Sequence, residues 1–297
     1  DISALADSLV EGADLKVKSR EILDYNSQKA KNIINEYGIK TIPALIVLSK
    51  NINKIGIDEN IFSINKNYAL FSKSVPYIDL NTGEIRGLVQ LKEIQPVSCA
   101  ECTSLSELKT QFEDAGIKIK DYEIISSSSD KGKNLIEENE LIFTPSLLIS
   151  KEIEEYWWVF DQIKPSLIEK ENNYVFNIPL PPYIDLKDGK IKGKVSITFI
   201  ENKSCEECFD VNQLKSSFQN LGVYIYSEKH VDVSSTEGKT LLNKYNVTAI
   251  PTVILSKEIQ DYDSIQEILK RVGTFEYDGK FVFRELDSLN VKYQNIN

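Results

Sequence analysis

Apolar residues follow two alternating patterns along this chain. Mostly apolar runs, such as residues 88–94 and 195–200, are typical of buried β-strands. Elsewhere apolar side chains are spaced three and four residues apart, which places them on one face of a helix. The clearest such set is Leu105, Leu108, Phe112 and Ala115. Strands and helices therefore follow one another in sequence, and we expect an α/β fold.

The same order of patterns returns further along the chain at a constant offset. The segment Pro-Tyr-Ile-Asp-Leu at residues 76–80 recurs at residues 182–186, and the same offset relates Ser-Lys-Glu-Ile at residues 150–153 to residues 256–259. A constant offset without a gap over this length indicates an internal duplication.

A third, partial copy lies at the beginning of the sequence. The segment that starts at Tyr37 matches the one that starts at Tyr245, with Pro43 opposite Pro251. We therefore predict three modules, at residues 1–74, 75–180 and 181–297. The first is incomplete at its N-terminus: either its leading strand and cysteine motif precede Asp1, or it was built without them. Because a missing strand would leave a sheet edge uncovered, we favour the first option.

All four cysteines fall in two Cys-x-x-Cys pairs, Cys99 with Cys102 and Cys205 with Cys208. Each pair follows a predicted strand and precedes a predicted helix. A cysteine at a helix N-terminus is favoured as the thiolate, and a second cysteine one turn later can resolve a mixed disulfide. The pattern is compatible with thiol–disulfide exchange.

A strand, a Cys-x-x-Cys pair, a helix, and a proline that opens another strand at the same distance behind each pair together resemble the thioredoxin superfamily. The resemblance extends over nearly the whole chain. It implies tandem thioredoxin-like modules, each with a central mixed sheet flanked by helices, organised like a protein disulfide isomerase. It also implies that Cys99 and Cys205 are the attacking thiols and that Cys102 and Cys208 are the resolving thiols.

The same resemblance implies a substrate-binding edge beside each disulfide. In that family the proline is cis and lies against the disulfide, so Pro43, Pro145 and Pro251 are the candidates here. Thr144 and Ile250 precede two of these prolines and are further candidates for contact with the substrate.

The motifs also depart from the family pattern Trp-Cys-Gly-Pro-Cys. Residues 98–102 are Ser-Cys-Ala-Glu-Cys and residues 204–208 are Ser-Cys-Glu-Glu-Cys. Acidic residues between the cysteines raise the pKa of the attacking thiol, which argues against a strong oxidant. The acid often found six residues before the first cysteine is Glu93 in one copy but Phe199 in the other, which argues against a shared proton-transfer role.

Three roles for the cysteine pairs remain open at this point. A disulfide that closes so short a loop stabilises a fold by roughly 2 kcal/mol, against about 4 kcal/mol for a loop of some 50 residues, so exchange is favoured over a structural staple. Zinc bound by all four thiolates is disfavoured because the pairs lie in separate modules. We expect neither a metal nor another cofactor.

The leading hypothesis is a thiol–disulfide oxidoreductase or isomerase whose partners are protein thiols or disulfides. The alternative is a structural or adhesive extracellular repeat or filament protein that contacts neighbouring copies of itself, with both pairs as closed structural disulfides.

Composition limits the partners and the location that we expect for this protein. The net charge of −10 repels a phosphate backbone, so nucleic acid is not an expected partner. No apolar run is long enough to span a membrane, although a signal or membrane anchor ahead of Asp1 is left open. Because no cysteine falls outside the two pairs, we expect an oxidising, extracytoplasmic location: periplasmic, cell-surface or secreted.

Overall fold

The computed structural model describes residues 2–12 and 16–296, and the chain divides into two compact units. The first unit comprises Asp1–Leu91, Glu107–Tyr122 and Ile149–Tyr174. The second comprises Lys92–Ser106, Glu123–Leu148 and Val175–Asn297. The predicted boundaries at residues 74 and 180, and with them the count of three modules, stay a prediction.

The first stretch of the chain folds as helices followed by a small sheet. Its elements are α1 (Ile2–Gly12), α2 (Gln28–Tyr37), β1 (Thr41–Ile42), β2 (Leu45–Leu48), β3 (Ser63–Ile64) and β4 (Tyr68–Phe71). Strands β2, β4 and β3 form an antiparallel sheet in that order. Leu5 and Leu9 of α1 pack against the buried side chains of Ile52, Phe62 and Ala69.

The stretch that contains the first cysteine pair alternates strands and helices, as predicted. Its elements are β5 (Tyr77–Asp79), β6 (Ile85–Arg86), β7 (Val89–Gln95), α3 (Ser106–Asp114), β8 (Ile119–Ser126), α4 (Asp130–Glu138), β9 (Phe143–Thr144), β10 (Ser146–Ser150), α5 (Trp157–Ile163), β11 (Leu167–Glu169) and β12 (Asn173–Phe176). Five of these strands form one sheet, in the order β11-β12-β10-β7-β8.

The stretch that contains the second cysteine pair repeats this order. Its elements are β13 (Tyr183–Asp185), β14 (Ile191–Lys192), β15 (Val195–Glu201), α6 (Asn212–Asn220), β16 (Ile225–Asp232), α7 (Thr236–Tyr245), β17 (Ala249–Ile250), β18 (Thr252–Leu255), α8 (Gln266–Val272), β19 (Gly273–Phe275), β20 (Phe281–Phe283) and β21 (Gln294–Asn295). Each element from β13 to β18 has a counterpart between β5 and β10. The first residues of the two elements are separated by the same number of positions as the repeated sequence segments.

The sheet of this last stretch is mixed, as expected for the α/β class. Its order is β16-β15-β18-β20-β19; β15 runs parallel to β16 and antiparallel to β18. Both faces are covered by apolar side chains, because the residues of β15 alternate between two buried clusters: Val195 and Phe199 belong to one, and Ile200 to the other. The cysteine loop thus leaves the end of a central strand whose apolar residues are buried.

A second, smaller kind of sheet recurs along the chain. Three such sheets are present among the described residues: β1-β5-β6, β14-β13-β9 and β17-β21. In each case a two-residue strand that ends just before a proline pairs antiparallel with a strand further along the sequence. These pairs determine what lies beside each candidate site.

A glycine makes the second of these small sheets possible. Gly193 has a positive φ of +77°, and a Cβ atom at this position would lie 2.2 Å from Cβ of Pro181. A side chain here would therefore be strained and would also collide with the residue before Pro182. Gly193 is thus required where β14 leads into β15.

Candidate functional site

Both cysteine pairs are closed disulfides, Cys99–Cys102 and Cys205–Cys208. Each bridge lies in a turn that follows a central strand, β7 or β15. Cys99 is buried, with 7% of its surface exposed, whereas the other three cysteines are half-buried. The bridge in the last stretch is therefore the more accessible of the two at its first cysteine.

The expected helix does not begin at the cysteines, so that prediction was wrong. Helix α3 begins at Ser106 and α6 at Asn212, each seven residues after the first cysteine of its pair. The helix dipole is felt only within about one turn of the helix end. It therefore does not act on either sulfur pair as the sequence led us to expect.

The hydrogen bonds of the residues after each pair explain this difference. The N–H group of Thr103 donates to the carbonyl oxygen of Pro182 at 3.1 Å, and the N–H group of Phe209 donates to that of Lys292 at 2.9 Å. These amides are bound by a distant part of the chain rather than directed at the sulfurs.

The residue six positions before the first cysteine differs between the two copies, as the sequence indicated. Glu93 is fully buried, and its Oε1 accepts hydrogen bonds from the N–H of Leu105 at 3.0 Å and from Nε2 of Gln95 at 2.6 Å. Phe199 is also fully buried, and its ring stacks on His230 at a centroid distance of 4.5 Å. A buried acid thus supports only the Cys99–Cys102 loop.

The three candidate prolines follow cis peptide bonds, at Ile42–Pro43, Thr144–Pro145 and Ile250–Pro251. The bonds Val75–Pro76 and Pro181–Pro182 are also cis. The repeated sequence segment contains these two prolines, but its pattern assigned them no conformation.

Sheet register brings the proline and the cysteines of the last stretch to the same end of the sheet. Ile200 of β15 lies opposite Thr252 of β18, and Pro251 immediately precedes Thr252. Since β15 ends at Glu201, the loop with Cys205 and Pro251 leave adjacent strands at the same edge. In the preceding copy β7 and β10 are likewise neighbours.

The main-chain edge expected to contact a substrate is already paired with other strands of this chain. Thr144 lies opposite Ile184 of β13, and Ile250 lies opposite Gln294 of β21. The side-chain oxygen of Thr144 is buried and has no hydrogen-bond partner within residues 2–12 and 16–296. An incoming peptide could pair with these residues only after the resident strand has moved away.

Two lysines that sequence reasoning missed bind the acidic residues of the motifs. Lys194 Nζ lies 2.7 Å from a carboxylate oxygen of Glu101, and Lys292 Nζ lies 2.7 Å from one of Glu207. The hydrogen bond from Lys194 lowers the pKa of the Glu101 carboxyl. Part of the negative charge beside each disulfide is therefore offset. No local sequence pattern identifies either lysine, because the two pairs are separated by 93 and 85 residues.

The described residues offer no metal centre and no membrane-spanning helix. That part of the chain holds no group of three or more His, Cys, Asp or Glu side chains placed to bind a metal ion. None of its helices is long and apolar enough to cross a membrane.

Comparison with known proteins gave distant structural similarities only. No known family and no curated protein matches the chain. A protein disulfide oxidoreductase from Aeropyrum pernix K1 is 16% identical, covering 63% of this chain and 88% of that one, with a TM-score of 0.18. The alkylhydroperoxide reductase protein AhpF from Enterococcus faecalis is 15% identical, covering 57% and 81%, also with a TM-score of 0.18. Such TM-scores are too low to indicate a shared arrangement of whole chains.

Proposed function

We propose that this chain carries out thiol–disulfide exchange at its Cys-x-x-Cys pairs, on a scaffold of tandem thioredoxin-like modules, with protein thiols or disulfides as substrates. The observation that supports this most directly is the half-buried Cys205–Cys208 bridge, which closes a four-residue loop beside the proline-led strand β18. A disulfide in so short a loop stabilises the fold less than one that closes a long loop, but it keeps both sulfurs together for exchange.

The reaction balances without a further reagent when the substrate is a dithiol. A substrate thiolate attacks one sulfur of the Cys205–Cys208 bridge, forms a mixed disulfide and releases the other cysteine as a thiolate. The second substrate thiolate then attacks the substrate sulfur of that mixed disulfide. The substrate leaves as a disulfide, two electrons pass to the protein, and two protons accompany the new thiols. The reverse reaction reduces a substrate disulfide, with Cys205 attacking first.

The two pairs should differ in rate. Cys99 is almost completely buried, whereas Cys205 is half-buried. Exchange requires a line of attack on the sulfur as well as a thiolate. We therefore propose that the Cys205–Cys208 pair carries most of the activity and that Cys99–Cys102 reacts more slowly.

Single serine variants of the full chain test this function. The pre-reduced protein is mixed with insulin, and loss of the insulin disulfides is followed by mass spectrometry. Cys205→Ser should lower the rate by about tenfold or more, because it removes the attacking sulfur, and Cys99→Ser should lower it less. A rate that neither substitution changes would contradict the proposal.

A structural role for the disulfide loops is a second proposal, and a specific observation supports it. Thr103 and Phe209, which follow the two bridges, each bind a later segment of the chain through their N–H groups. Each bridge would then hold the loop in the shape that receives this segment. Loss of exchange activity with a loss of stability no larger than the roughly 2 kcal/mol expected for so short a loop supports the enzymatic role. A much larger loss of stability supports the structural one.

We also propose an extracytoplasmic location. Both pairs are bonded, and such bridges persist mainly in oxidising compartments. Alkylation of the protein in intact cells would test this: free thiols at all four cysteines would contradict it.

A further inference from the structure

Residues 292–296, called the cover segment below, lie against the edge beside the Cys205–Cys208 loop. Its strand β21 pairs antiparallel with β17, with Gln294 opposite Ile250 and Asn295 opposite Ala249. The N–H group of Ile296 donates a 2.7 Å hydrogen bond to the carbonyl oxygen of Thr248. The cover segment therefore uses the main-chain groups that directly precede Pro251.

The cover segment also contacts the loop that carries the cysteines. The carbonyl oxygen of Lys292 accepts the hydrogen bond from the N–H of Phe209, the residue after Cys208. Lys292 Nζ pairs with Glu207 between the two cysteines, and Nδ2 of Asn202 donates to Oε1 of Gln294 at 2.9 Å. The cover segment therefore contacts both the cysteine loop and the edge that precedes Pro251.

Residues 182–186 occupy the corresponding place beside Cys99–Cys102. The carbonyl oxygen of Pro182 accepts the hydrogen bond from Thr103, as that of Lys292 accepts the one from Phe209. The N–H of Leu186 donates to the carbonyl oxygen of Ile142 at 2.9 Å, as the N–H of Ile296 donates to Thr248. However, β13 is held on its other side by β14. Strand β21 pairs with β17 alone in the sheet that the described residues form.

No side chain of the cover segment is fully buried: Tyr293 packs against the main core cluster and its hydroxyl donates to Asp287, but it stays partly exposed. The side chains of Lys292 and Glu207 are 71% and 78% exposed, and ion pairs in such positions contribute little to stability. Ile296 is only partly buried against the cluster that contains Ile250 and Val282. A two-stranded pairing with few buried side chains is among the first parts of a fold to open.

We propose that the cover segment is an intramolecular ligand of a peptide-binding edge at Ala249–Ile250, and that it must leave before a protein substrate reaches the Cys205–Cys208 pair. This proposal rests on the proposed function. The edge takes an extended polypeptide, because main-chain hydrogen bonds provide most of the binding. A basic side chain opposite Glu207 and an apolar side chain in the place of Ile296 provide the preference among sequences.

Binding of the segment as a separate peptide tests this directly. A labelled peptide, Val-Lys-Tyr-Gln-Asn-Ile, is titrated against the full chain and against a variant that ends at residue 290. Because the edge is free only in the variant, the apparent affinity there should be at least about tenfold higher. Equal binding to both proteins, or no binding to a folded variant, would overturn the proposal.

A point variant covers the case in which the shortened chain fails to fold. Ile296→Pro removes the N–H that donates to Thr248, since proline has none. Ile296→Val keeps that hydrogen bond and most of the apolar contact, and serves as the matched control. Peptide should bind at least about tenfold more tightly to the proline variant than to the valine variant. Near-ultraviolet circular dichroism establishes that both variants are folded.

Rates of exchange complete the test. Relative to Ile296→Val, Ile296→Pro should react about tenfold faster with insulin, while its rate with a small aromatic disulfide changes less than about twofold, because a small molecule needs no strand pairing. The state of Cys99–Cys102, measured in the same samples by peptide mapping, is the internal control. If peptide binds as expected but no variant exchanges, the proposed function fails and the binding edge stands. Equal rates of insulin reduction by both variants would instead show that the cover segment does not limit access of a protein substrate to the Cys205–Cys208 pair.

Discussion

At the scale of single residues, two buried tyrosines hold corresponding positions in the two cysteine-bearing copies. The hydroxyl of Tyr262 donates to the carbonyl oxygen of Gly193 at 2.7 Å and accepts from the N–H of Tyr224 at 2.8 Å. Tyr156 makes the same two bonds with Gly87 and Lys118. Burial raises the pKa of Tyr262 to about 12 and raises that of Tyr156 as well. Each hydroxyl thus joins the segment before a central strand, β7 or β15, to the segment before its neighbour, β8 or β16.

Tyr262→Phe should lower the free energy of unfolding by about 1–3 kcal/mol, because it leaves a part-buried N–H and a buried carbonyl without partners. Chemical denaturation measures the change. Tyr277→Phe, at a position that is 83% exposed, is the matched control and should shift the value by less than about 0.5 kcal/mol. Similar effects of the two substitutions would show that the buried hydroxyl contributes nothing.

Some residues of the candidate site could be identified from the sequence, and others could not. Cys99, Cys102, Cys205 and Cys208 were identified directly as the only cysteines. Two lysines, at positions 194 and 292, were not, because a lysine contributes to the site only through its distance from a glutamate of the motif, and no local pattern encodes that distance.

At the scale of secondary-structure elements, a hairpin near the end of the chain is held against a helix. Strands β19 and β20 pair antiparallel, and Gly279 in the turn has a φ of +82°. The carboxylate of Asp278 accepts from Lys244 Nζ at 2.7 Å and from the Tyr245 hydroxyl at 2.8 Å. The turn is therefore bound to the end of α7.

The Asp278 carboxylate in this turn should stabilise the fold at neutral pH and lose that effect in acid. Burial acts to raise the pKa of Asp278, but the hydrogen bonds from Lys244 and Tyr245 outweigh it and lower the pKa to about 2. A carboxyl with a lowered pKa in the folded state stabilises the fold above its unfolded pKa, near 3.8. That contribution is lost as the pH falls towards 2.

Asp278→Asn should therefore remove about 1 kcal/mol of stability at pH 6 and leave a flatter dependence of stability between pH 4 and 2. Denaturant unfolding at a series of pH values measures both effects. Asp121→Asn, at an exposed position of β8, is the control and should follow the unsubstituted chain. An unchanged acid profile in Asp278→Asn would contradict the assignment.

At the scale of the whole molecule, the two disulfides and the small sheets beside them make one recurring arrangement within the second unit. Each bridge lies in a loop whose following residue, Thr103 or Phe209, binds a residue just ahead of a later strand. That later strand also pairs with the residues just before Pro145 or Pro251. A bridge and the edge beside it are thus covered by the same downstream segment.

Paired serine variants measure how far the bridges support this arrangement. Cys99→Ser with Cys102→Ser, and separately Cys205→Ser with Cys208→Ser, should each lower the free energy of unfolding by roughly 2 kcal/mol, the entropic value for so short a loop. Adding a reductant to the unsubstituted chain should reproduce the sum. Losses well above that value would favour the structural proposal over exchange.

The sequence alone determined the features that depend on local patterns and on repetition. Apolar spacing predicted the alternation of strands and helices, and the constant offset between the copies predicted that elements from β5 to β10 would recur from β13 to β18. Such features follow from the period of apolar residues, which acts within a few positions along the chain.

Only the tertiary structure decided what surrounds each bridge. The cysteines do not begin a helix, because the N–H groups of Thr103 and Phe209 bind carbonyl groups in distant segments of the sequence. The edge at Thr144 and Ile250 is filled for the same reason: β-pairing joins residues that are distant in sequence. A backbone amide can bind either a helical neighbour or a distant strand, and that choice depends on which partner the folded chain brings within hydrogen-bond distance.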